Sequence, residues 1–394
     1  MKTKGVTVNH VRVTSHGGLL ALVREHGGLS RQQMLEMTGM SRGTLVSRLE
    51  ALTRLGYVYE AEALAPTGGR PARRVRFDDR GRVVLAADLG QTHARVAVLD
   101  LAGNELRSRS AEIRIADPGV LDAVLDTGAE LLAAGRGERL VGVGVGVPSA
   151  VDPVTGRVVH PTTIPGWPPD AVLVAVRRRW AVPVVVENDA RAGAVGESAG
   201  PGETLVYVKL SMGIGCGIVV GGEVLRGAAG LAGDIGHVRV GPQSGPRSGP
   251  QCRCGRRGCL AAYSSGRALL QRLGGTLTDL VTAAHRGDRE VAAALAEAAD
   301  VLGAALAATV TTVNPHRLVL GGALGPLPLV VDRVRARIHD TVAERARPQV
   351  TGGVLGPVAT VTGLARLVVA AVYAPEAVDA TVAEAAKDYS RNSP

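Results

Sequence analysis

"VVLAADLGQTHARVAVLD", residues 83–100, reads as a strand, a tight turn at Asp88-Leu89-Gly90-Gln91-Thr92 and a second strand. Gly90 permits the turn, so backbone N–H groups and the Thr92 hydroxyl can face a phosphate while Asp88 is placed to hold magnesium through water. The same architecture returns in "TLVYVKLSMGIGCGIVVGGEV", residues 204–224, where a strand enters the turn Ser211-Met212-Gly213-Ile214-Gly215 and runs back out. Alone, the first copy is more often an ordinary hairpin, and the second is as readily a glycine-rich hairpin. Two copies opening two halves of one body predict a duplicated, two-lobed α/β fold with a ligand between the lobes, Gly213 and Gly215 supplying the second phosphate turn.

Between the copies lies "VPVVVENDARAGAVGE", residues 182–197. Val182 to Val186 is expected to be a buried strand, with Glu187-Asn188-Asp189 at its C-terminal end, where open α/β sheets place ligand-binding groups. Asp189 is positioned to accept a proton from a sugar hydroxyl attacking a phosphate, and Asn188 to orient neighbouring hydroxyls. The competing reading makes Asp189 the N-cap of the next helix. Further on, "VNPHRLVLGGAL", residues 313–324, predicts a buried strand ending in Gly321-Gly322 before a helix, a turn that lets backbone approach a nucleotide or the facing lobe.

Three of the four cysteines fall within eight residues, in "HVRVGPQSGPRSGPQCRCGRRGC", residues 237–259. Cys252, Cys254 and Cys259 supply three thiolates and His237 an imidazole. Together they complete a tetrahedron with no open position, the pattern of a structural Zn2+ site and not a catalytic one. Gly255 and Gly258 let the knuckle turn. Three reduced structural cysteines are the alternative, and Cys216 reads as a small buried side chain.

Composition narrows the function classes. The 394 residues are 46% hydrophobic and 21% charged, with aromatics at only 2%. Four cysteines exclude a disulfide framework. No N-terminal basic stretch precedes an apolar run, and no uninterrupted apolar segment approaches about 18 residues, so a cytoplasmic protein without a membrane partner is expected. Charge is unevenly placed: residues 1–82 hold 14 Lys and Arg against 7 Asp and Glu, whereas the remainder is near neutral. A basic module on a neutral body points to a polyanion partner for the module.

That module reads as a winged helix-turn-helix. Leu19, Leu20, Leu22 and Val23 form the apolar face of a first helix. Ser30 caps a second, with Met34 and Leu35 inward; Thr38-Gly39-Met40 makes the turn, and Ser41 caps a third helix bearing Leu45, Leu49, Leu52 and Leu55 on one face. The N-terminal part of the third helix is the element that enters the major groove of double-stranded DNA, so Arg42, Thr44, Ser47 and Arg48 are the expected readers. "YVYEAEAL" and "ARRVRFDD" form a hairpin wing whose connection offers Arg70 to the minor groove or phosphates. A three-helix packing unit with a solvated basic loop is the alternative.

Taken in order, "DLGQT", "GVPSAVDPVTGRV", "ENDA", "GLAGDIGH", "CRCGRRGC" and "VLGGAL" resemble the ROK family of repressors, open reading frames and sugar kinases, and the N-terminal module with its GGRP segment is similar to the repressor branch. The resemblance implies domains at 1–82 and 83–394. The second would be a two-lobed actin-like, RNase-H-like ATPase-fold body, with one lobe at about 83–200 plus the C-terminal end and the other at about 201–365. It implies zinc at His237, Cys252, Cys254 and Cys259, sugar contacts from Asn188, Asp189, Asp234 and His237, and the base position on Asp189. Nucleotide contacts would fall on Asp88, Gly90, Thr92, Gly213, Gly215, Gly321 and Gly322.

The chain departs from the family pattern at four positions. Asp234 and Ala261 stand where the family usually has Glu, Ser149 where it has Gly, and Met212 where kinases carry Thr. Losing a charged hydrogen bond such as Ala261 removes commonly costs about 1.5–3 kcal/mol. The expected function is a sugar-controlled repressor of carbohydrate-related genes, acting as a homodimer or homotetramer on an operator. The alternatives are an ATP- and Mg2+-dependent sugar kinase bearing a DNA-binding module, and a DNA-binding protein whose body only dimerises.

Overall fold

The computed structural model describes residues 13–61, 73–159, 164, 166–240 and 249–392, with side chains to residue 387. The chain divides into two compact units, Met1–Arg82 with Val369–Pro394, and Val83–Val368.

Local sequence signals build the first unit. Helix α1 (His16–Glu25) begins where Ser15 Oγ accepts the Gly18 N–H at 2.9 Å. Strand β1 (Leu29–Ser30) leads into α2 (Arg31–Thr38), whose start is a reciprocal box: Gln33 N–H donates to Ser30 Oγ at 3.2 Å and Ser30 N–H to Gln33 Oε1 at 2.9 Å. Gly39, at φ +66°, closes α2 in the left-handed region, and Ser41 caps α3 (Arg42–Arg54). Leu19, Leu20, Val23, Met34, Leu45, Leu49 and Leu52 are buried together, while Leu22, Leu35 and Leu55 are half-buried.

Strands β2 (Val58–Ala61) and β3 (Arg74–Phe77) pair antiparallel, Val58 opposite Phe77. The tiny β1 adds to the other edge of β3, Leu29 opposite Val75. The connection holding Arg70 lies outside the described residues.

The C-terminal end was expected in the first lobe of the body. Instead α13 (Pro375–Asn392) packs on α1. Gly17 N–H donates to Asp379 Oδ1 at 2.9 Å, and a Cβ at Gly17 would lie 2.0 Å from the Pro375 carbonyl oxygen. Tyr373 meets the Phe77 ring edge to face at 4.9 Å between centroids, with the Arg24 guanidinium 5.2 Å from the Tyr373 ring centre. Nothing in an amphipathic terminal helix names its partner, which is why the sequence misplaced it.

The second unit is a duplication. Its first sheet contains β4 (Arg82–Leu89), β5 (His93–Asp100) and β6 (Glu105–Glu112) as an antiparallel meander. After α4 (Val120–Ala133), β7 (Arg139–Val147) joins the other side. A small hairpin, β8 (Ala150–Val151) and β9 (Val158–Val159), and α5 (Ala171–Arg179) then lead to β10 (Val184–Asn188), parallel to β7. The order is β10-β7-β4-β5-β6.

After α6 (Asp189–Glu197) the second sheet repeats this plan with β11 (Leu205–Leu210), β12 (Ile214–Val220) and β13 (Glu223–Val224). A helical segment follows, α7 (Leu260–Ser264), α8 (Gly266–Leu273), α9 (Leu277–His285) and α10 (Arg289–Val313), before β14 (Arg317–Gly321), α11 (Pro328–Thr341) and β15 (Gln349–Gly352). The order β13-β12-β11-β14-β15 has the same connectivity as the first sheet, so the two glycine-rich turns occupy equivalent positions.

Two expectations shift. The strand read at Val182–Val186 is β10 at Val184–Asn188, an edge strand where Val186 alone of those five valines and prolines is buried, because only β7 pairs with it. The helix expected after Gly321-Gly322 begins only at Pro328, with five residues between. The alanine-rich stretch from Arg289 is one 25-residue helix, apolar and long enough to cross a membrane, but Leu295, Leu302, Leu306 and Val310 lie in the second lobe's core. Helix α12 (Ala359–Val372) crosses α6 so closely that a Cβ at Gly363 would lie 1.7 Å from the Ala192 carbonyl oxygen. That contact fixes α6, whose first residue is Asp189.

Candidate ligand cleft and metal centre

Gly90 joins β4 to β5 with its N–H on the His93 carbonyl at 2.8 Å. Its φ is not positive; a Cβ would lie 2.1 Å from the His93 ring, so a larger residue would displace that half-exposed side chain. Asp88, just before the turn, is 4% exposed. Its Oδ2 lies 3.5 Å from Lys209 Nζ and 3.7 Å from His93 Nε2. Across the cleft, Asp189 Oδ2 accepts from the same ammonium at 2.9 Å. Lys209 therefore spans the two carboxylates that the sequence assigned to magnesium and to the base.

Burial alone would push the Lys209 pKa down, but the charges of Asp189 and then Asp88 outweigh it and raise it. Burial likewise opposes the Asp88 carboxylate, yet Lys209 and His93 hold its pKa below the usual range. Sequence reasoning passed over Lys209, although a lone charge in the apolar strand "LVYVKL" is the signal that marks it.

Gly90, His93, Asp189 and Lys209 border a cavity of about 970 Å³, which Asp88 does not line. Asn188, Asp189, Asp234 and His237 line it, as do Gly90, Thr92, Gly213 and Gly215. Gly321 and Gly322 do not. A Cβ at Gly321 would lie 2.1 Å from the Tyr207 hydroxyl and one at Gly322 2.5 Å from the Leu210 carbonyl oxygen, so this pair serves packing against β11. Asn188, not Asp189, caps α6: its Oδ1 accepts from Ala190 N and Arg191 N at 3.1 Å, and Nδ2 donates to the Ser149 carbonyl at 3.2 Å. Asp189 is thus free of capping by its side chain toward N3 and faces Lys209. Ala261, Ser149 and Met212 all line the cavity.

A buried network fixes the loop that carries Asp234. Glu187 and Arg191 are each 2% exposed. Arg191 Nε donates to Glu187 Oε1 at 2.7 Å, and its Nη1 to the Gly230 carbonyl at 2.6 Å. Arg226 Nε donates to Glu187 Oε2 at 2.7 Å. Removing one partner of a buried pair strands the other charge, at about 3–5 kcal/mol. Arg191→Ala should therefore lower the unfolding temperature of the body by on the order of 10 °C in calorimetry; a shift under about 2 °C would contradict this role for Arg191.

The knuckle converges as its spacing required. One ligand atom from each of His237, Cys252, Cys254 and Cys259 lies within 4.8 Å of every other. Cys252 Sγ is 3.5 Å from His237 Nδ1, and Cys254 Sγ is 3.7 Å from Cys259 Sγ. Tetrahedral edges computed from zinc–sulfur bonds near 2.3 Å and zinc–nitrogen bonds near 2.05 Å are about 3.5 and 3.8 Å, so the four fit such an ion. A disulfide at about 2.05 Å is excluded by the same separation. Gly255 and Gly258 have φ of +85° and +75°. Backbone bonds from Val240 N–H to the Gly258 carbonyl at 2.9 Å and from Leu260 N–H to the Val238 carbonyl at 2.9 Å lace the His237 segment to the knuckle. The cluster can hold a metal ion. Cys216 is apart from it, its thiol pushed up to about 12 by burial, and is inert.

In the N-terminal unit Arg42, Thr44 and Ser47 are exposed along the first turns of α3, and Arg48 is half-buried. Thr44 Oγ1 lies 2.8 Å from Ser41 Oγ, so its hydroxyl is already engaged.

The family model for the ROK family matches residues 84–370, most of the chain and the whole duplicated body. The chain belongs to the ROK family. This ROK chain is 26% identical over 339 residues to the xylose repressor of Bacillus subtilis strain 168, covering 82% of this chain and 86% of that one. A solved ROK family transcriptional regulator homologous to the E. coli MLC protein superposes with a TM-score of 0.76 at 23% identity, covering 95% of this chain and all of that one. A ROK family glucokinase from Streptomyces griseus, solved with glucose and AMPPNP, gives a TM-score of 0.63 at 29% identity over 72% of this chain and 98% of that one. The ROK body accordingly has the two-lobed, sugar-kinase-type α/β fold.

Proposed function

We propose that this ROK protein is a DNA-binding transcriptional repressor of carbohydrate-related genes, released from its operator when a sugar or sugar derivative occupies the cleft. The observation that carries the reading is the extent of the likeness to the xylose repressor: 82% of the chain is more than the ROK match and everything after it supply, so the likeness runs into the N-terminal unit.

That unit reads as a winged helix-turn-helix. Helix α3 would enter the major groove, Arg42 and Ser47 meeting base edges or phosphates, Thr44 offering its methyl, and Arg48 and Arg70 adding positive charge. A dimer on a roughly palindromic operator in the cytoplasm completes the arrangement. Arg42→Ala is expected to weaken DNA binding and, if it meets a phosphate, to reduce the salt slope of log K by about one. Fluorescence anisotropy across a salt series checks this, and unchanged affinity would remove Arg42 from the interface.

In the body, Asp189, Asp234 and the His237 segment would accept and orient sugar hydroxyls, with Asn188 holding the turn beneath them. Zn2+ at His237, Cys252, Cys254 and Cys259 would supply no chemistry beyond shape, since four protein ligands leave no open position. Several features favour a binding module over a kinase. Lys209 is committed to Asp189 and Asp88, so the base position is ion-paired. Met212 gives the second turn no hydroxyl, and Ala261 offers no acceptor. ATP and Mg2+ are therefore given no role.

The test is a genome-wide pull-down of the tagged protein with sequencing of bound DNA, followed by footprinting with candidate sugars. Sharp peaks beside transport and sugar-catabolism genes support the repressor. No enrichment under several carbon sources would sink it.

A further inference from the structure

Asp88 is the residue expected to hold magnesium, but its surroundings do not fit that ion. Its Oδ2 has Lys209 Nζ at 3.5 Å and His93 Nε2 at 3.7 Å, and Asp189 Oδ2 has the same ammonium at 2.9 Å. Magnesium bound directly to a carboxylate stands about 2.1 Å from its oxygen, and magnesium held through water about 4 Å. On the side facing Asp189, a directly bound ion would press against Nζ and a water-held one would coincide with it. The other oxygen offers no alternative. Asp88 Oδ1 shares the space over Gly146 with Thr360 and Leu364, 3.6 Å from where a Cβ would stand, and so is turned into the packing between β7 and α12. Asp88 does not line the cavity, whereas Lys209 and Asp189 do.

Lys209 is built into this position. It lies in β11, whose six residues are all buried, in register between Gly215 of β12 and Gly321 of β14. Neither neighbour has a side chain, which leaves room for the lysine stem on the sheet face. The side chains of Lys209, Asp88 and Asp189 are only 11%, 5% and 13% exposed. Two carboxylates so deeply placed need a counter-charge, and Lys209 supplies it from within the chain. Asp189 is held as firmly: its Oδ1 accepts the Ala190 N–H at 2.8 Å, and Thr360 Oγ1 donates to its carbonyl at 3.4 Å. Lys209 belongs to the second half and Asp88 to the first, so one ammonium also ties the two halves together beside the cavity.

We infer that Lys209 is the resident cation of the cleft: its ammonium fills the place between Asp88 and Asp189 that a divalent ion would take, and masks a metal site that its removal would uncover. Asp88 is then a positioning residue for Lys209 and takes no part in holding a ligand. The cleft binds its ligand without magnesium. This goes beyond the repressor reading and does not depend on it, since the ion triad lies wholly within the ROK body.

The probe is Mn2+, followed by electron paramagnetic resonance on the full-length, zinc-loaded chain. Mn2+ prefers oxygen ligands, so the thiolates of the knuckle do not compete for it. Lys209→Met removes the charge and keeps an unbranched stem, and is expected to bind Mn2+ at least tenfold more tightly than the wild type. Adding Asp88→Asn to that variant should return the affinity to the wild-type level, and Lys209→Arg, which keeps the charge, should stay there. Mn2+ should also raise the unfolding temperature of Lys209→Met and leave that of the wild type unmoved, a response that damaged packing alone would not give.

Equal Mn2+ affinity in the wild type and Lys209→Met overturns the inference, as does a gain that survives Asp88→Asn. If Lys209→Met does not fold, the wild type against Asp88→Asn decides. Equally weak Mn2+ binding by both supports the masked site, and a site in the wild type that Asp88→Asn abolishes overturns it. None of these readouts involves DNA, so failed DNA capture sinks the repressor reading alone and a failed Mn2+ result sinks this inference alone.

Discussion

Serine in place of Cys259 is expected to leave the purified chain with less than a tenth of the one zinc ion that the wild type should carry, and to lower its unfolding temperature by on the order of 10 °C. Cys259 is fully buried at the start of α7, 3.7 Å from Cys254 Sγ. A hydroxyl there is a far poorer donor to zinc than a thiolate, so three ligands would remain and the tetrahedron would open. Binding to structural sites is worth about 10–16 kcal/mol in isolated zinc-finger peptides. In this chain the loss is local, because the lobe has its own core around Leu295, Leu302 and Val334.

What unravels is the lacing of the His237 segment to the knuckle, through Val240 N–H on Gly258 and Leu260 N–H on Val238. Asp234 precedes His237 by three residues, so ligand binding should fall at least tenfold with the metal. Elemental analysis, calorimetry and ligand titration on the same preparation check all three effects. A wild type free of metal and a variant with unchanged melting would refute the structural role.

What was legible in the sequence was local or repeated. Ser30, Gly39 and Ser41 announce their helix ends because caps act within three or four residues, and each is found doing so. The two glycine-rich turns announce a duplicated body because the same short pattern occurs twice, and the two sheet orders repeat it. The knuckle announces itself by spacing. What the sequence left open is for the most part a choice between partners distant in the chain. Lys209 stands 121 residues from Asp88 and 20 from Asp189, so its charge had no visible purpose in an apolar strand. Gly321-Gly322 packs on Tyr207 and Leu210 of a neighbouring strand, contacts that no local pattern announces. Asn188 and Asp189 are equally good caps by composition, and only the backbone decides that Asn188 takes the role, leaving Asp189 to the cleft. Arg253 and Arg267 both donate to Gln91 Oε1 from 162 and 176 residues away, beyond any local pattern.

Ending the chain after Ala374 is expected to abolish operator binding, by at least a hundredfold, while leaving the metal content and the melting of the ROK body in place. The truncation removes α13, whose Val378 and Val382 are buried in the N-terminal unit and whose Asp379 accepts the Gly17 N–H. That amide belongs to the first turn of α1 and has no partner within its own helix, so Asp379 acts on it as an external cap carrying negative charge at the helix N-terminus. A small unit of four helices and three short strands has little apolar area to spare, and losing one helix from it should cross the threshold of folding.

A single substitution separates this account from a merely tethering tail. Helix propensity alone says that Gly17→Ala gains about 1 kcal/mol. The added Cβ, however, would lie 2.0 Å from the Pro375 carbonyl oxygen, a backbone atom that cannot move without shifting the start of α13. Overpacking of this kind costs about 1–3 kcal/mol, and displacement of Asp379 costs about 1.5–3 kcal/mol more for a hydrogen bond to a charged group. The net sign is therefore destabilising, by about 2–5 kcal/mol, with DNA affinity falling in step as the unit unfolds. Thermal denaturation and anisotropy on Gly17→Ala read the two together. A more stable variant with unchanged DNA binding would mean that propensity wins and that α13 does not support the DNA-binding unit.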